Sequence, residues 1–510
     1  MSLFHSALII SSLTLFSRIT GLMRDITIAF AFGAGPLTDA FWIAFRIPNL
    51  LRRLFAEGAF SQAFIPIIGE IQQNTSKKKI RLKLSYIAFF LTVIVSVVTI
   101  IGIVNAFYII KYAASGISKN YETAKQFEIT VCMTRIMFPY IIFISLTAFC
   151  SGILNVWKKF FIPAITPMFL NISIILFYFL FRNFLKEPIY SLAIGVLIGG
   201  ILQCIIQWLA LYRINLTPCL FSSFYKSYQS KIVQKILKKM IPSLLGVSAA
   251  QLSLFINTNI ATRLEPGSIT WLSFSDRIME LPVSLLGVTF STLLITNLSK
   301  ASIKNNRDAY SGLIDWGLRL TLLFGIPISI GMIVFSEALV TIFFHYGKFT
   351  VIDVINTKKA VSAYSIGLIG LLAVKILATG FYAQHNIKTP LKISIYSLII
   401  TQLMNIFFVP WLGHPGLALS IGLGACFNAL FLFIILIKNG ILILKSGWVR
   451  FILQLTIASI ALYYMIFYLN ENTNWILLQS SYLKRFMVFL LFSIFGIFTY
   501  FSILFLLVFV

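Results

Sequence analysis

Residues 84–110 read LSYIAFFLTVIVSVVTIIGIVNAFYII, a run of 27 residues without a charged side chain. A helix that crosses the hydrocarbon core of a bilayer needs about 20 consecutive apolar residues. This composition extends over the whole chain, because 59% of its 510 residues are hydrophobic and only 11% are charged. A water-soluble domain could not bury that much apolar surface. The sequence therefore predicts an all-α polytopic membrane protein.

Similar apolar runs predict about fourteen membrane-spanning helices in two series. The first series covers residues 7–33, 37–72, 84–111, 128–156, 160–182 and 188–212. The second covers 238–263, 270–299, 310–335, 356–384, 388–410, 415–437, 448–469 and 483–509. A hydrophilic segment from Arg213 to Lys239 separates them. We therefore predict an N-terminal lobe at 1–212, a cytoplasmic linker at 213–237, a C-terminal lobe at 238–440 and two additional helices at 441–510.

A faint internal repeat supports the division into lobes. The sequence LTLF at 13–16 has a counterpart in LSLF at 252–255, and GPLT at 35–38 has one in GSIT at 267–270. Six predicted spans separate the copies, so both copies would have the same orientation in the membrane. The repeat predicts two six-helix lobes related by a pseudo-two-fold axis along the membrane normal.

The distribution of cationic residues predicts the orientation. The chain carries 41 Lys and Arg against 15 Asp and Glu, a formal net charge of +26. With the N-terminus in the cytoplasm, about 21 cationic residues fall on inner loops and 7 on outer loops, as the positive-inside rule requires. Both termini are then cytoplasmic. This bias accounts for most of the charge, so no nucleic-acid partner is needed.

Ionisable residues inside the predicted spans are the candidate functional residues. Each Arg, Lys or Asp at a helix centre costs about 2.5–3.5 kcal/mol on insertion, so these groups must face water, a partner or a ligand. They are Arg18, Arg24, Asp25, Asp39, Arg46, Arg52, Arg53, Glu57, Asp276, Arg277, Glu280 and Lys375.

The spacing of these residues leaves two interpretations open. Arg18 and Asp25 share a face of the first span, as Arg277 and Glu280 do on the eighth. Internal ion pairs, or side chains that reach the interface, are one explanation for such groups. However, the first 60 residues hold five Arg against three carboxylates, and this cationic surplus favours an anionic ligand. The planar fork of Arg matches phosphate oxygens, so a phosphate-bearing lipid or sugar fits best.

Several other classes of function lack their motifs. No G-x-x-x-x-G-K-[ST] or H-E-x-x-H sequence occurs, the four His are isolated and the five Cys are scattered. Neither a bound metal nor ATP hydrolysis is therefore predicted, and a membrane-embedded synthase is disfavoured. We expect no cofactor.

Three stretches carry a resemblance to a known family: SRITGLMRD at 17–25, TDAF at 38–41 and PNLLRRLFAEGAFSQAFIP at 48–66. These stretches closely resemble the MurJ (MviN) family of lipid II flippases. Further motifs of the same kind are DRIMELP at 276–282, DWGLR at 315–319, YGKF at 346–349, Lys375 with GFY at 380–382, and KTP at 388–390. The resemblance covers the whole chain. It departs from the family pattern at Thr379, Gln384 and Asn386, where many relatives carry other residue types, which puts the inner end of span ten in doubt.

The resemblance implies the fold of the multidrug/oligosaccharidyl-lipid/polysaccharide exporter superfamily, with a lipid-facing groove formed by the two C-terminal helices. It also implies transport of lipid II, an undecaprenyl-diphosphate-linked disaccharide-pentapeptide, between leaflets of the bacterial inner membrane for peptidoglycan synthesis. Transport would use alternating access driven by an ion gradient or the membrane potential, with membrane lipids and cell-wall synthases as further partners.

We predict two groups of site residues from these arguments. The substrate-binding group is Arg18, Arg24, Arg52, Arg53, Arg277 and Lys375; the supporting or gating group is Ser17, Asp25, Asp39, Glu57 and Glu280. In this hypothesis Arg18, Arg24 and Arg277 meet the diphosphate, while Asp39 and Glu280 hold those arginines in place. Two other functions stay open: a non-transporting scaffold for cell-wall synthases, and a drug or ion exporter of the same superfamily.

Overall fold

The computed structural model describes residues 3–53, 59–74, 76–117, 123–219, 224–304 and 306–509. All regular elements in these ranges are helices, so the predicted all-α class is confirmed. Ten of the helical segments in this part of the chain are long and apolar enough to cross a membrane, or eleven when one bent pair is counted as a single span. The predicted number of about fourteen stays a prediction.

Contacts divide the chain into two compact units. The first comprises Met1–Ile28 and Gly35–Ile269, and the second Ala29–Ala34 and Thr270–Val510. The span at 238–263, which was predicted to begin the C-terminal lobe, therefore belongs to the first unit by its contacts. The lobe boundaries derived from the sequence stay a prediction.

The first unit contains eleven helices within the described ranges. They are α1 (Leu3–Phe32, whose last turn counts with the second unit), α2 (Pro36–Leu51), α3 (Ala59–Asn74), α4 (Lys77–Val104), α5 (Ala106–Ala113), α6 (Ala124–Met137), α7 (Tyr140–Val156), α8 (Phe161–Phe181), α9 (Tyr190–Arg213), α10 (Phe224–Gln229) and α11 (Lys231–Ala261). Its core lies among α3, α4, α7, α9 and α11, around Phe64, Ile87, Phe149 and Leu211.

Small residues let α8 and α9 approach closely. A Cβ added to Gly195 of α9 would lie 2.7 Å from the Cα of Ile174, and one added to Gly199 would lie 2.9 Å from the Cα of Leu170. Helix pairs in membranes associate through such small residues, because lipid supplies no hydrophobic force between helices. This packing holds α8, which contributes to the candidate site.

The second unit contains ten α-helices within the described ranges. They are α12 (Ser268–Pro282), α13 (Thr289–Ile303), α14 (Arg307–Val334), α15 (Ser336–Phe344), α16 (Val351–Ile366), α17 (Leu368–Tyr382), α18 (Lys388–Leu412), α19 (His414–Lys438), α20 (Trp448–Glu471) and α21 (Tyr482–Phe509). One core joins α13, α14, α17 and α19; another joins α15, α20 and α21 around Leu455, Leu462 and Tyr500.

Two predicted spans each correspond to a pair of described helices. The span predicted at 37–72 corresponds to α2 and α3, with residues 54–58 between them outside the described ranges. The span predicted at 356–384 is bent by 41° between α16 and α17. The bend falls at Gly367, where an added Cβ would lie 2.1 Å from the Cα of Gly422 on α19. Close backbone contact with α19 therefore accompanies the break.

Candidate functional site

Arg24 lies at the centre of a buried polar cluster in the first unit. Its side chain is on α1, and the residue is only 5% exposed. The guanidinium donates from Nε and Nη2 to Oδ1 of Asp25, at 2.8 and 2.7 Å. It also donates from Nη1 to Oδ1 of Asn171 at 3.1 Å. A buried arginine is stabilised by such paired contacts, since the charge would otherwise be isolated from water.

Asn171 of α8 connects this cluster to the preceding turn of α1. Its amide nitrogen donates to the carbonyl oxygen of Ser17 at 3.3 Å and to Oγ1 of Thr20 at 3.2 Å. The hydroxyl of Thr20 in turn donates to the Ser17 carbonyl at 2.8 Å. Asn171 therefore uses both ends of its amide to hold one face of α1.

Sequence reasoning missed two members of this cluster. Asn171 is a single amide within the apolar segment FIPAITPMFLNISIILFYFLF of α8, a signal that could have identified it. Trp42 of α2 lies with its ring centroid 5.7 Å from the Arg24 guanidinium carbon, within the range of a cation–π contact. Its position among other aromatic residues offered no comparable signal.

Arg18 and Ser17 lie about two turns before Arg24 on α1 and are half-buried. The structure thus groups four predicted site residues, Ser17, Arg18, Arg24 and Asp25, on one helix. Asp25 was predicted as a supporting residue, and it is the carboxylate that contacts Arg24. The first unit therefore contains both a buried, paired arginine and a more accessible one.

Asp39 and Arg46 connect α2 to the end of the first unit. The buried carboxylate of Asp39 accepts a hydrogen bond from the backbone N–H of Gly267 at 2.6 Å. Gly267 adopts a φ of 99°, a left-handed conformation that glycine takes without steric cost. Arg46 donates to Oγ1 of Thr258 on α11 at 2.6 Å. These contacts fix α2, and the Gly267 contact gives Asp39 a structural role alongside its predicted one.

Arg52 and Arg53 follow α2. Arg52 is half-buried and donates from Nε to Oδ1 of Asn49 at 2.9 Å, whereas Arg53 is exposed. Glu57, predicted as a supporting residue, lies outside the described residues.

Arg277 and Glu280 form an ion pair on α12 in the second unit. Nη1 of Arg277 lies 2.9 Å from Oε2 of Glu280, as their three-residue spacing predicted, and both side chains are partly exposed. This arginine is accessible, in contrast to Arg24. Six residues after Arg277, the segment Val283–Val288 forms a π-helix directly behind Pro282. Such segments occur mostly as interruptions of α-helices and often at functional sites.

Lys375 of α17 packs against this π-helix. A Cβ added to Gly287 would lie 2.5 Å from Cδ and 3.3 Å from Cε of Lys375. The aliphatic part of the lysine therefore occupies the space that the missing side chain leaves. The second unit thus brings Arg277 and Glu280 together on α12 and sets Lys375 against the segment that follows them.

A cavity of about 620 Å³ lies between α14 and α20, the first of the two C-terminal helices. Its lining is mostly aliphatic and aromatic: Leu322, Ile326 and Ile330 of α14 face Ile452, Ile460 and Tyr463 of α20. An apolar chain would fit such a lining. Among the described residues, no group of three or more His, Cys, Asp or Glu could hold a metal ion.

Comparison with known proteins gives a consistent family assignment. The sequence profile of the family described as "Lipid II flippase MurJ" matches residues 28–488. The chain is 44% identical over 485 residues to the "Lipid II flippase MurJ" of Burkholderia cenocepacia, covering 95% of this chain and 93% of that protein. A solved structure of "Lipid II flippase MurJ, inward closed conformation" superposes with a TM-score of 0.78 at 29% identity, covering 95% and 98% of the two chains. An inward-facing multidrug resistance MATE family transporter of the MOP superfamily matches with a TM-score of 0.69 at 14% identity, over 85% of this chain and 98% of that one; this last likeness shows the fold alone.

Proposed function

Because this chain belongs to the MurJ family, we propose that it is a lipid II flippase, a transporter rather than an enzyme. It acts in the bacterial cytoplasmic membrane with both termini in the cytoplasm. It moves undecaprenyl-diphosphate-linked peptidoglycan precursor from the inner to the outer leaflet by alternating access. An ion gradient or the membrane potential drives the cycle, and no cofactor takes part.

One observation carries the chemical part of this proposal. Each unit has one site arginine with a carboxylate partner on the same apolar helix: Arg24 pairs with Asp25, and Arg277 pairs with Glu280. A carboxylate and a phosphate offer the same acceptor geometry to a guanidinium. Glu280 therefore stands in for the phosphate oxygens in the state without substrate, while Asp25 keeps the buried Arg24 in place.

Substrate binding then becomes an exchange of anions. The diphosphate meets Arg18 and Arg277 first, since these arginines are the more accessible ones. Arg24, which is fixed by Asp25 and Asn171, completes the contact. A ligand shifts a conformational equilibrium only by its difference in affinity for the two states. Exchange of a carboxylate for a diphosphate supplies that difference, because it adds negative charge to the cationic site.

The remaining predicted residues act around this contact. Arg52, Arg53 and Lys375 contribute positive charge toward the diphosphate and sugar, while Ser17, Asp39, Glu57 and Glu280 hold or gate the arginines. The polyprenyl chain remains at the lipid-facing side of the protein, where it packs in the apolar cavity between α14 and α20. Cell-wall synthases are the proposed protein partners.

Leaflet exchange in liposomes tests the proposal. Purified protein is reconstituted, and a fluorescent lipid II is followed beside a fluorescent phospholipid, with and without an ion gradient or a potential. We expect selective exchange of lipid II, loss of exchange in Arg24→Ala and Arg277→Ala, and retention in the control Arg450→Ala, whose side chain is exposed on α20. Absence of exchange under every gradient would favour a scaffold, and export of a cationic dye instead would favour an exporter.

A further inference from the structure

Arg485 is a second buried arginine, and it lies outside the site described above. It belongs to the first turn of α21 and has no exposed surface. Nη1 donates to the carbonyl oxygen of Thr341, in the last turn of α15, at 2.6 Å. The guanidinium carbon lies 5.8 Å from the ring centroid of Tyr346. The phenol oxygen of Tyr346 also interacts with the guanidinium, but neither Nε nor Nη2 makes a hydrogen bond of good geometry to a described residue.

No carboxylate balances this charge in the described part of the chain. Helix α21 has no acidic residue. Glu337 of α15 pairs with Lys358, and Asp353 of α16 accepts hydrogen bonds from Thr350 and Trp271. Arg485 therefore differs from Arg24, whose charge is matched by Asp25.

His345 offers a second buried nitrogen next to this arginine. It lies between α15 and α16, is 2% exposed, and its Nδ1 has no partner among the described residues. Burial, reinforced by the nearby Arg485 charge, lowers the pKa of His345 below its usual range. The neutral ring can then present Nδ1–H as a donor without adding a second positive charge.

Neighbouring dipoles offset only part of the cost of the buried charge. The carbonyl of Thr341 belongs to the negative end of α15, and the ring face of Tyr346 attracts a cation. Water molecules could satisfy the remaining donors, but they would add no countercharge. An anion would satisfy both needs, since it accepts hydrogen bonds and neutralises the guanidinium.

We propose that Arg485 and His345 bind a small inorganic anion of the size of chloride. The anion accepts from Nε and Nη2 of Arg485 and from Nδ1 of His345. It thereby fastens the first turn of α21 to the corner between α15 and α16. Since Arg485 is fully enclosed, a single-atom anion fits this position better than a lipid headgroup does. The proposal concerns assembly of the second unit and does not depend on the transported substrate.

Thermal unfolding in detergent tests this anion site. Chloride is titrated against gluconate at constant ionic strength, and bromide replaces chloride in a parallel series. We expect the unfolding midpoint to rise by several degrees and to saturate with either halide. Arg485→Met should remove this dependence, whereas the control Arg450→Met, at an exposed position on α20, should retain it.

A second variant and a direct measurement cover the case in which Arg485→Met does not fold. His345→Phe should weaken the halide dependence of the unfolding midpoint several-fold. In equilibrium dialysis with radioactive chloride, Arg485→Met should bind one ion fewer than the wild-type protein. A wild-type midpoint that is independent of halide would overturn the proposal in favour of bound water. Stabilisation by an anionic phospholipid but not by chloride would overturn it in favour of a lipid headgroup.

Discussion

Oδ1 of Asp25 accepts both Nε and Nη2 of its immediate neighbour Arg24, at 2.8 and 2.7 Å. Adjacent residues on a helix point about 100° apart, so such pairs seldom meet. Here both side chains are enclosed by the first unit, and Asn171 holds the third nitrogen of the guanidinium. The pair therefore fixes the direction of the arginine as well as balancing its charge.

Replacing Asp25 with Asn should destabilise the protein strongly. The change keeps the shape of the side chain but leaves the buried Arg24 guanidinium without its countercharge, a loss of about 3–5 kcal/mol for a buried pair. A large fall in the thermal unfolding midpoint, together with loss of lipid II exchange, is expected. Asp308→Asn, at an exposed position on α14, is the control; equal midpoints for the two variants would contradict the structural role of Asp25.

Asn171→Leu should have a smaller effect of the same kind. Leucine keeps the volume and suits an apolar helix, but it removes the acceptor of Arg24 Nη1 and the donor to Thr20. An unsatisfied buried donor costs about 1–3 kcal/mol. The unfolding midpoint of Asn171→Leu should fall less than that of Asp25→Asn. The control Asn297→Leu, on the exposed face of α13, should have a smaller fall than Asn171→Leu. A variant as stable as the wild type would show that Arg24 does not need this contact.

Glu280→Gln should separate transport from stability. The ion pair with Arg277 is partly exposed, and exposed pairs contribute less than about 1 kcal/mol. The unfolding midpoint should hardly change, whereas lipid II exchange should fall because Arg277 loses the carboxylate that the diphosphate replaces. Glu70→Gln removes the exposed pair with Lys235 and serves as the control. Full exchange by Glu280→Gln would exclude the proposed exchange of anions.

Gly287→Ala should alter Lys375 without unfolding the second unit. The new methyl group would lie 2.5 Å from Cδ of Lys375, and the flexible lysine chain can move aside at little cost. We expect a small change in the unfolding midpoint and a several-fold fall in lipid II exchange. Gly331→Ala on α14, where an added Cβ meets no atom within 4 Å, should leave exchange intact. If both variants transport normally, the position of Lys375 is not important for the cycle.

Gly195→Ala should weaken the contact between α8 and α9. Its methyl group would press on the backbone of Ile174 at 2.7 Å, and backbone atoms cannot move aside as a side chain can. The unfolding midpoint should fall, and Asn171 on α8 should shift away from Arg24. In contrast, Gly69→Ala in α3 meets no atom within 4 Å and should stabilise the helix by about 0.5–1 kcal/mol. A Gly195→Ala protein as stable as Gly69→Ala would refute the close approach of these helices.

Fold class and the position of most helices could be predicted from the sequence alone. The apolar runs at 310–335, 388–410 and 448–469 correspond closely to α14, α18 and α20. A long apolar helix follows from composition, because the hydrocarbon core offers no water to the backbone. A helix satisfies its backbone N–H and C=O groups with local hydrogen bonds. The break at Gly367 could not be predicted, since it depends on close contact with Gly422 of α19.

The sequence by itself determined which ionisable residues lie in apolar surroundings and which pairs share a helical face. Arg277 and Glu280 meet because their spacing fits the helical period, a local property. Only the tertiary structure decided that Asn171 and Trp42 contact Arg24, and that Arg485 is enclosed while Arg450 is exposed. These differences depend on which helices pack together. The contacting residues are far apart in the chain, so no local pattern specifies them.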